Sequence, residues 1–359
     1  MQNQVVSNAL TRPEIVKNRI NGGSTLGTRK PDISVCIPTY NRAPLLMLAI
    51  ESVLREFAHQ NSEIIVSDNA SGDQTPELVQ LLAQQSGNIK YYRNKTNIGL
   101  DDNVVRCIEL ARADYVFLFS DDDVLLPGAG ACILDAIRRH SPAFVYVNHA
   151  GFLEDEDPDA VFRRGSSPDK PDVVYENGFL LIRDALLEHN SAMVFRRDEV
   201  IKHLDRLQDY RTGGFCRGYA PPVLAHNVVL SSRSTYVLIG KCCVAVRNLL
   251  KPTYNPLYTG HIDIVRHYHA LQRRGLLTPN QLRALMKRRI WRVRKNMILT
   301  MKCSGDPRLT QKEIDWFFRL DSGYWQFYVY LLPILVLPRF VLCPLYWVAR
   351  KTAHALDRL

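Results

Sequence analysis

Between Asp32 and about Leu153, short apolar runs alternate with stretches of helical periodicity. No other feature constrains the fold as much. Ile33 to Ile37 is a β-rich run stopped by Pro38. Ala43 to Phe57 then repeats apolar residues at helical spacing (Leu46, Ile50, Val53, Leu54, Phe57). Glu63–Ser67, Ile89–Arg93, Tyr115–Phe119 and Phe144–Asn148 read as further strands. Helices are expected from Thr75 to about Gln85, Asp101 to Ala111 and Gly128 to His140. Thr75-Pro76 is a favourable helix start, because proline at the first helical position gives up an N–H that has no helical acceptor. Strands separated by helices of this length predict β-α-β units and an α/β fold with a largely parallel sheet. The unbroken apolar runs 33–37 and 115–119 suit strands covered on both faces.

Ligands of such sheets bind at the carboxyl ends of the strands. Here those ends read Pro38-Thr39-Tyr40-Asn41-Arg42, Ser67-Asp68-Asn69-Ala70-Ser71, Arg93-Asn94-Lys95 and Ser120-Asp121-Asp122-Asp123. A dinucleotide fingerprint after the first strand and a Walker-type phosphate loop are both missing from the sequence, which argues against those two classes. The three successive carboxylates stand out. They repel one another, and a hard divalent cation such as Mg²⁺ or Mn²⁺ would relieve that repulsion while phosphates and water completed its shell. A solvated acidic turn ending at Pro127 is the plainer alternative. Asp68 could accept hydrogen bonds from a nucleobase or ribose, or simply close an Asx turn with Asn69.

Four segments recur in a fixed order: Ile-Pro-Thr-Tyr-Asn-Arg at 37–42, Ser-Asp-Asn-Ala-Ser-Gly-Asp at 67–73, Asn-Ile-Gly-Leu at 97–100 and Phe-Ser-Asp-Asp-Asp at 119–123. Together they resemble glycosyltransferase family 2, and their wording is most similar to the bacterial O-antigen enzymes of the abequosyltransferase type. The resemblance is strong over 32–153 and weak over 154–250. It implies the GT-A fold, a Rossmann-like, mostly parallel sheet flanked by helices, and a nucleoside-diphosphate sugar as donor. By position it implies that Pro38, Thr39, Tyr40 and Arg42 line the donor's base and diphosphate. Asp68 would hold base or ribose, and Asn97 and Gly99 would shape the sugar side. Asp122 matches the principal metal ligand, with Asp123 as a second ligand and Asp121 beside them on the donor; Ser120 stands where the family's motif has its first aspartate. The family's base usually comes from a Glu-Asp pair 15–25 residues beyond an Arg-Arg-like segment. Arg196-Arg197 is here followed by Arg217-Gly218-Tyr219-Ala220-Pro221-Pro222 without such a pair, which leaves Asp209 and His226 as candidates.

The 359 residues allow two domains, or one with a long appendage. The expected divisions are a loose tail over 1–31, a GT-A domain over 32–250 and a C-terminal helical, membrane-associating extension over 251–359. No secretory signal is expected from this polar tail. Residues 261–359 hold 18 basic and 6 acidic residues, whereas the rest hold 28 and 30. All the excess positive charge therefore lies in the last quarter, pointing to an anionic partner. A basic helix from Thr278-Pro279 could lie on an anionic membrane surface, bind nucleic acid or pack on the catalytic domain. The apolar stretch Tyr324–Ala349, broken by Pro333, Pro338 and Pro344, is too short between charges to span a bilayer. It reads as an interfacial or re-entrant anchor, or as a buried packing segment. The eight cysteines form no Cys-x-x-Cys pair and read as reduced thiols in a cytosolic protein. His261, His267 and His269 have a spacing that does not suit one metal.

The function these features predict is sugar transfer to a lipid-linked oligosaccharide or polysaccharide at the inner face of the cell membrane. A polyanion-binding protein is the competing class. It lacks any nucleic-acid fold signature, so no nucleic-acid partner is expected. A nucleotidyltransferase would need a Gly- and Lys/Arg-rich loop after the first strand, which 38–42 is not.

Overall fold

The computed structural model describes residues 30–57, 59–153, 156–158, 169–208, 218–248, 255, 257–293 and 297–344. The N-terminal tail and Asp209 lie outside these. The chain divides into two compact units, Met1–Leu250 and Lys251–Leu359.

In the first unit, β1 (Ile33–Thr39), α1 (Ala43–Phe57), β2 (Ser62–Asp68), α2 (Thr75–Gln85), β3 (Ile89–Arg93), α3 (Leu100–Leu110) and β4 (Tyr115–Leu118) follow the predicted alternation. Next come β5 (Val124–Leu125), α4 (Ala129–His140), β6 (Phe144–Leu153), β7 (Val173–Tyr175), α5 (Gly178–Ala185), β8 (Met193–Arg196), α6 (Arg197–Ile201), α7 (Ala220–Ser231) and β9 (Tyr236–Asn248). The strands form one sheet in the order β3-β2-β1-β4-β8-β6-β9-β5, with β7 also paired to β9. Strands β1 to β4 run parallel. Strand β8 enters antiparallel between β4 and β6, and β5 and β7 run antiparallel to β9, so the sheet as a whole is mixed.

This topology positions the site. The parallel register sets Thr39 beside Asp68 and Asp68 beside Arg93, aligning three strand ends. Because β8 is antiparallel, its first residue, Met193, pairs with the last residue of β4, Leu118. The short 3-10 turn Asn190–Ala192 therefore lies at the same edge. The apolar stripe of α1 covers the sheet, with Leu46, Ile50, Val53 and Phe57 fully buried. Each contributes about 1.5–3 kcal/mol by burial, and Phe57→Ala would cost about 3–5 kcal/mol.

The second unit holds a π turn (Tyr258–Ile262), α8 (Asp263–Arg273), α9 (Pro279–Val293), α10 (Leu299–Ser304), α11 (Gln311–Asp321), a second π turn (Phe327–Leu331) and α12 (Leu332–Val336). Its core gathers Leu257, Ile262, Ile290, Ile298, Met301, Phe317, Phe327, Leu331, Ile334 and Leu335. Thr278 opens α9 as expected: its hydroxyl accepts from the Gln281 amide, and the Gln281 side chain accepts from the Thr278 amide. His261 Nε2 lies 2.7 Å from Asp321 Oδ2, both fully buried, and the imidazole stacks on Phe317. One expectation is corrected. Cys303 and Cys343 are joined by a disulfide, their Cα atoms 5.2 Å apart, so these two are not reduced thiols. Forty residues separate them in sequence, and only the packing of α10 against the end of the chain's apolar stretch brings them together.

Candidate active site

Two loops at the carboxyl ends of β1 and β2 are locked together. Asn41, at φ 53°, accepts from the Gly72 amide through its side chain and donates from its own amide to the Ser71 hydroxyl. Asp73 accepts from the Ala43 amide at the start of α1. Ala70 sits at φ 64°, a left-handed conformation that costs a non-glycine residue about 1–2 kcal/mol and is kept where the surroundings enforce it.

Asp68 is fully buried. It accepts from the Ser71 amide (2.9 Å) and the Tyr91 hydroxyl (2.7 Å), and it pairs with Arg93 Nε at 3.2 Å. It thus closes an Asx-type turn and braces the edge. Its neighbour Asn69 connects the next loop. Asn69 donates to Asn97 Oδ1 and the Gly99 carbonyl, and it accepts from the Ile98 amide and from Asn94. Gly99, at φ 91°, turns the chain into α3 through a conformation that favours glycine. Behind this lies a hydrogen-bonded layer of Ser67, Asn94 and Asn103. Asn97 and Tyr40 are exposed at the surface of the edge.

The three aspartates after β4 have different surroundings. Asp121 is buried and accepts from the Thr39 hydroxyl (2.7 Å) and Arg42 Nη1 (3.1 Å). The same Arg42 nitrogen donates to Asp122 at 2.8 Å, so one guanidinium bridges two carboxylates. Asp123 faces away. One of its oxygens accepts from the Ser191 hydroxyl at 2.6 Å, the other from the Arg247 amide at 2.9 Å. Ser191 also accepts from the Ser120 amide. The Arg247 Nε donates to the Asp122 carbonyl, and its guanidinium lies 4.6 Å above the Phe152 ring. Burial, followed by repulsion from Asp122, raises the pKa of both Asp121 and Asp123. Asp121, ahead of burial's opposing effect, raises Arg42. Burial and crowding together therefore disfavour the charged form of both carboxylates.

Among the described residues, no three His, Cys, Asp or Glu side chains gather as a metal centre. Asp121 and Asp122 are the carboxylates brought together, and Asp123 has both oxygens engaged elsewhere. Two oxygen-donor carboxylates fit Mg²⁺ or Mn²⁺ in a nucleotide site, where substrate phosphates supply the other ligands.

Of the candidate bases, His226 is fully buried within α7 and presents no surface on which an acceptor could rest. Asp209 lies outside the described residues; at Gly218, Asp101 at the start of α3 accepts from the Gly218 and Ala220 amides, both at 2.9 Å. Sequence reading missed Asn69, Ser191 and Arg247. Asn69 stood inside a quoted motif and could have been found there. Ser191 comes from the 3-10 turn before β8 and Arg247 from β9, far along the chain, and no local pattern marks them.

A mixed sheet with a polar, acid-bearing edge at the ends of four parallel strands has the architecture of the GT-A fold. Residues 34–203 match the model of Glycosyl transferase family 2. Abequosyltransferase RfbV of Salmonella typhimurium is 40% identical over 95 residues, 26% of this chain and 28% of that protein. The GalNAc(5)-diNAcBac-PP-undecaprenol beta-1,3-glucosyltransferase of Campylobacter jejuni is 30% identical over 154 residues, 43% of this chain and 48% of its own. The chain thus spans half or less of the length of these curated relatives. Among solved structures, S. aureus TarS residues 1–349 superposes with a TM-score of 0.57 at 16% identity, over 80% of this chain and 78% of that one. A complex of the same TarS fragment with UDP-GlcNAc gives 0.56 at 15% identity, over 80% and 79%.

Proposed function

We propose that the protein transfers a sugar from a nucleoside-diphosphate donor to a lipid-linked oligosaccharide in cell-surface glycan synthesis, working at the inner face of the cell membrane. The observation that carries this reading is the Thr39–Asp121–Arg42–Asp122 constellation, set at the carboxyl ends of parallel strands inside the stretch that matches family 2. The UDP-GlcNAc bound to TarS supports a nucleotide-sugar donor, and the undecaprenol-linked substrate in the name of the C. jejuni relative supports a lipid-linked acceptor.

In this reading the exposed Tyr40 and Asn97 meet the donor's base and ribose, while Pro38 and Gly99 shape the walls. Asp68 fixes these loops from beneath. Asp122, with Asp121, would hold Mg²⁺ or Mn²⁺, which when bound stabilises the charge of the departing diphosphate. Arg42 is the protein's own cation at this point and can donate to the same developing charge. Thr39 keeps the Asp121 carboxylate oriented. Asp209 is the candidate to take the proton of the acceptor hydroxyl. This assignment rests on the sequence alone, since Asp209 follows Arg196-Arg197, the segment beyond which the family's base is sought.

The test is a screen of nucleoside-diphosphate sugars for hydrolysis and transfer, with Mg²⁺, Mn²⁺ or chelator. Turnover of one donor, lost with chelator, is expected. Failure to bind any nucleoside diphosphate with either ion would remove the reading.

A further inference from the structure

The helical stretch from Trp325 to Val336 is built inside out. Between Tyr324 and Pro338 it carries no charged residue, and its strongly polar side chain, Gln326, points inward at 5% exposure. Phe327, Leu331, Ile334 and Leu335 pack into the core of the second unit. The opposite face is just as apolar, yet Trp325, Tyr328, Val329 and Val336 are 54–60% exposed, at spacings that place them on one side of the helix. After Pro338 the chain turns and presents Phe340, 80% exposed. A helix apolar all round belongs in a protein interior or against lipid.

The neighbouring surface indicates which. On α9 the exposed Arg283, Lys287 and Trp291 follow one another four residues apart, with Arg288 exposed beside them. Trp291 packs edge-on against Tyr330 at 5.0 Å, and Tyr330 lies 6.1 Å from Trp325. A basic stripe therefore runs through an aromatic cluster directly into the apolar face, within one compact unit. Basic groups, Trp and Tyr beside exposed aliphatics form the pattern of a surface that lies in the headgroup zone of an anionic bilayer. Twelve helical residues reach only about 18 Å, short of a bilayer's ~30 Å core. No described helix is long and apolar enough to cross a membrane.

The face is also held in place. Lys302 donates to the Ile334 and Leu335 carbonyls, satisfying the end of α12. Arg339 donates to the Cys303 carbonyl, and the Cys303–Cys343 disulfide fastens the same turn. The surface is thus presented rigidly, which lowers the ordering cost of docking.

We propose that the outward face of residues 325–336, together with Phe340 and the Arg283/Lys287/Arg288 stripe, docks the protein in the interface of an anionic membrane, parallel to its plane. This deepens the membrane-face reading above, but its test needs neither donor nor acceptor. The full chain is mixed with phosphatidylcholine vesicles with or without phosphatidylglycerol and sedimented. It should pellet with the anionic vesicles and be released only in part by high salt, because salt screens the stripe but not the apolar face. Val329→Glu/Val336→Glu, both exposed, should lower the partition at least tenfold, and Arg283→Ala/Lys287→Ala should lower it several-fold on anionic vesicles alone. In the wild type, brominated acyl chains should quench tryptophan emission, and less so in Trp325→Phe; this readout needs no charged substitution. A chain that stays in the supernatant with anionic vesicles overturns the proposal. So does a lipid-free dimer that Val329→Glu/Val336→Glu converts to monomer, since a second copy would then be the occupant. Donor hydrolysis should continue in every one of these variants, so loss of vesicle binding and failure of the catalytic reading are separate results.

Discussion

Two regions of this molecule reverse the ordinary placement of side chains, in opposite directions. At the ends of β1, β2 and β4 it buries charge: Asp68, Asp121 and Asp123 are at most 6% exposed. Along residues 325–336 it exposes hydrocarbon. Burying a carboxylate is costly unless donors surround it, and here each is met by hydroxyls, amides or guanidinium. Exposing an apolar helix face gives up about 25 cal/mol for each Å² left in water. Neither arrangement helps the chain fold. Under the two proposals above, each marks a place where the fold is adapted to something outside the chain: a charged donor in one case, a lipid surface in the other.

The sharpest way to break this comparison is at Asp122. Asp122→Asn should lower transfer by about a thousandfold while leaving the melting temperature nearly unchanged, because a single charge is lost and little packing. Unaltered transfer rates, still dependent on Mg²⁺ or Mn²⁺, would place the metal elsewhere. Arg42→Gln should follow with about a hundredfold loss in kcat/KM, since the bridge between Asp121 and Asp122 and a donor toward the diphosphate disappear together. If kcat/KM stays within threefold of wild type, Arg42 only braces the loop.

Ser191→Ala sharpens the distinction between the aspartates. It removes one of the two partners of buried Asp123 and should cost about 2 kcal/mol in chemical denaturation, with donor affinity changing far less. A large loss of donor affinity with no loss of stability would instead make Asp123 a donor or metal contact.

The smallest effect is expected at Glu199, away from both regions. Burial alone would raise this carboxylate, but hydrogen bonds from Lys202, Ser232 and Arg196 outweigh it and hold it at about 2, against an ordinary 4.5. A depressed carboxylate adds stability above its unfolded pKa and loses it as the pH falls through the folded value. The stability gap between wild type and Glu199→Gln should therefore be full at pH 6 and close between about 4.5 and 2. A gap independent of pH would show that packing, not charge, is what Glu199 supplies.

The two regions also differed in how far the sequence exposed them. The donor edge was legible because its residues lie within a few positions of each strand end, where β-α-β periodicity already places ligands. The partners that separate Asp123 from Asp122 were not, because Ser191 and Arg247 arrive by way of an antiparallel strand and the last strand of the sheet. Likewise the apolar stretch could be found by composition, but which face of it is covered depends on Phe317, Ile290 and Met301 from other helices. The Cys303–Cys343 bond escaped for the same reason: proximity across 40 residues is a property of packing, not of pattern.

The central claim is that Asp121 and Asp122 hold the donor's diphosphate through a divalent cation. Calorimetric titration of UDP, GDP, CDP and dTDP into the full chain, with Mn²⁺ and with chelator, addresses it most directly when repeated on Asp122→Asn. At least one diphosphate should bind the wild type with Mn²⁺, bind at least tenfold more weakly with chelator, and show no gain from Mn²⁺ in Asp122→Asn. Equal affinity in wild type and Asp122→Asn, with the Mn²⁺ dependence intact in both, would contradict it.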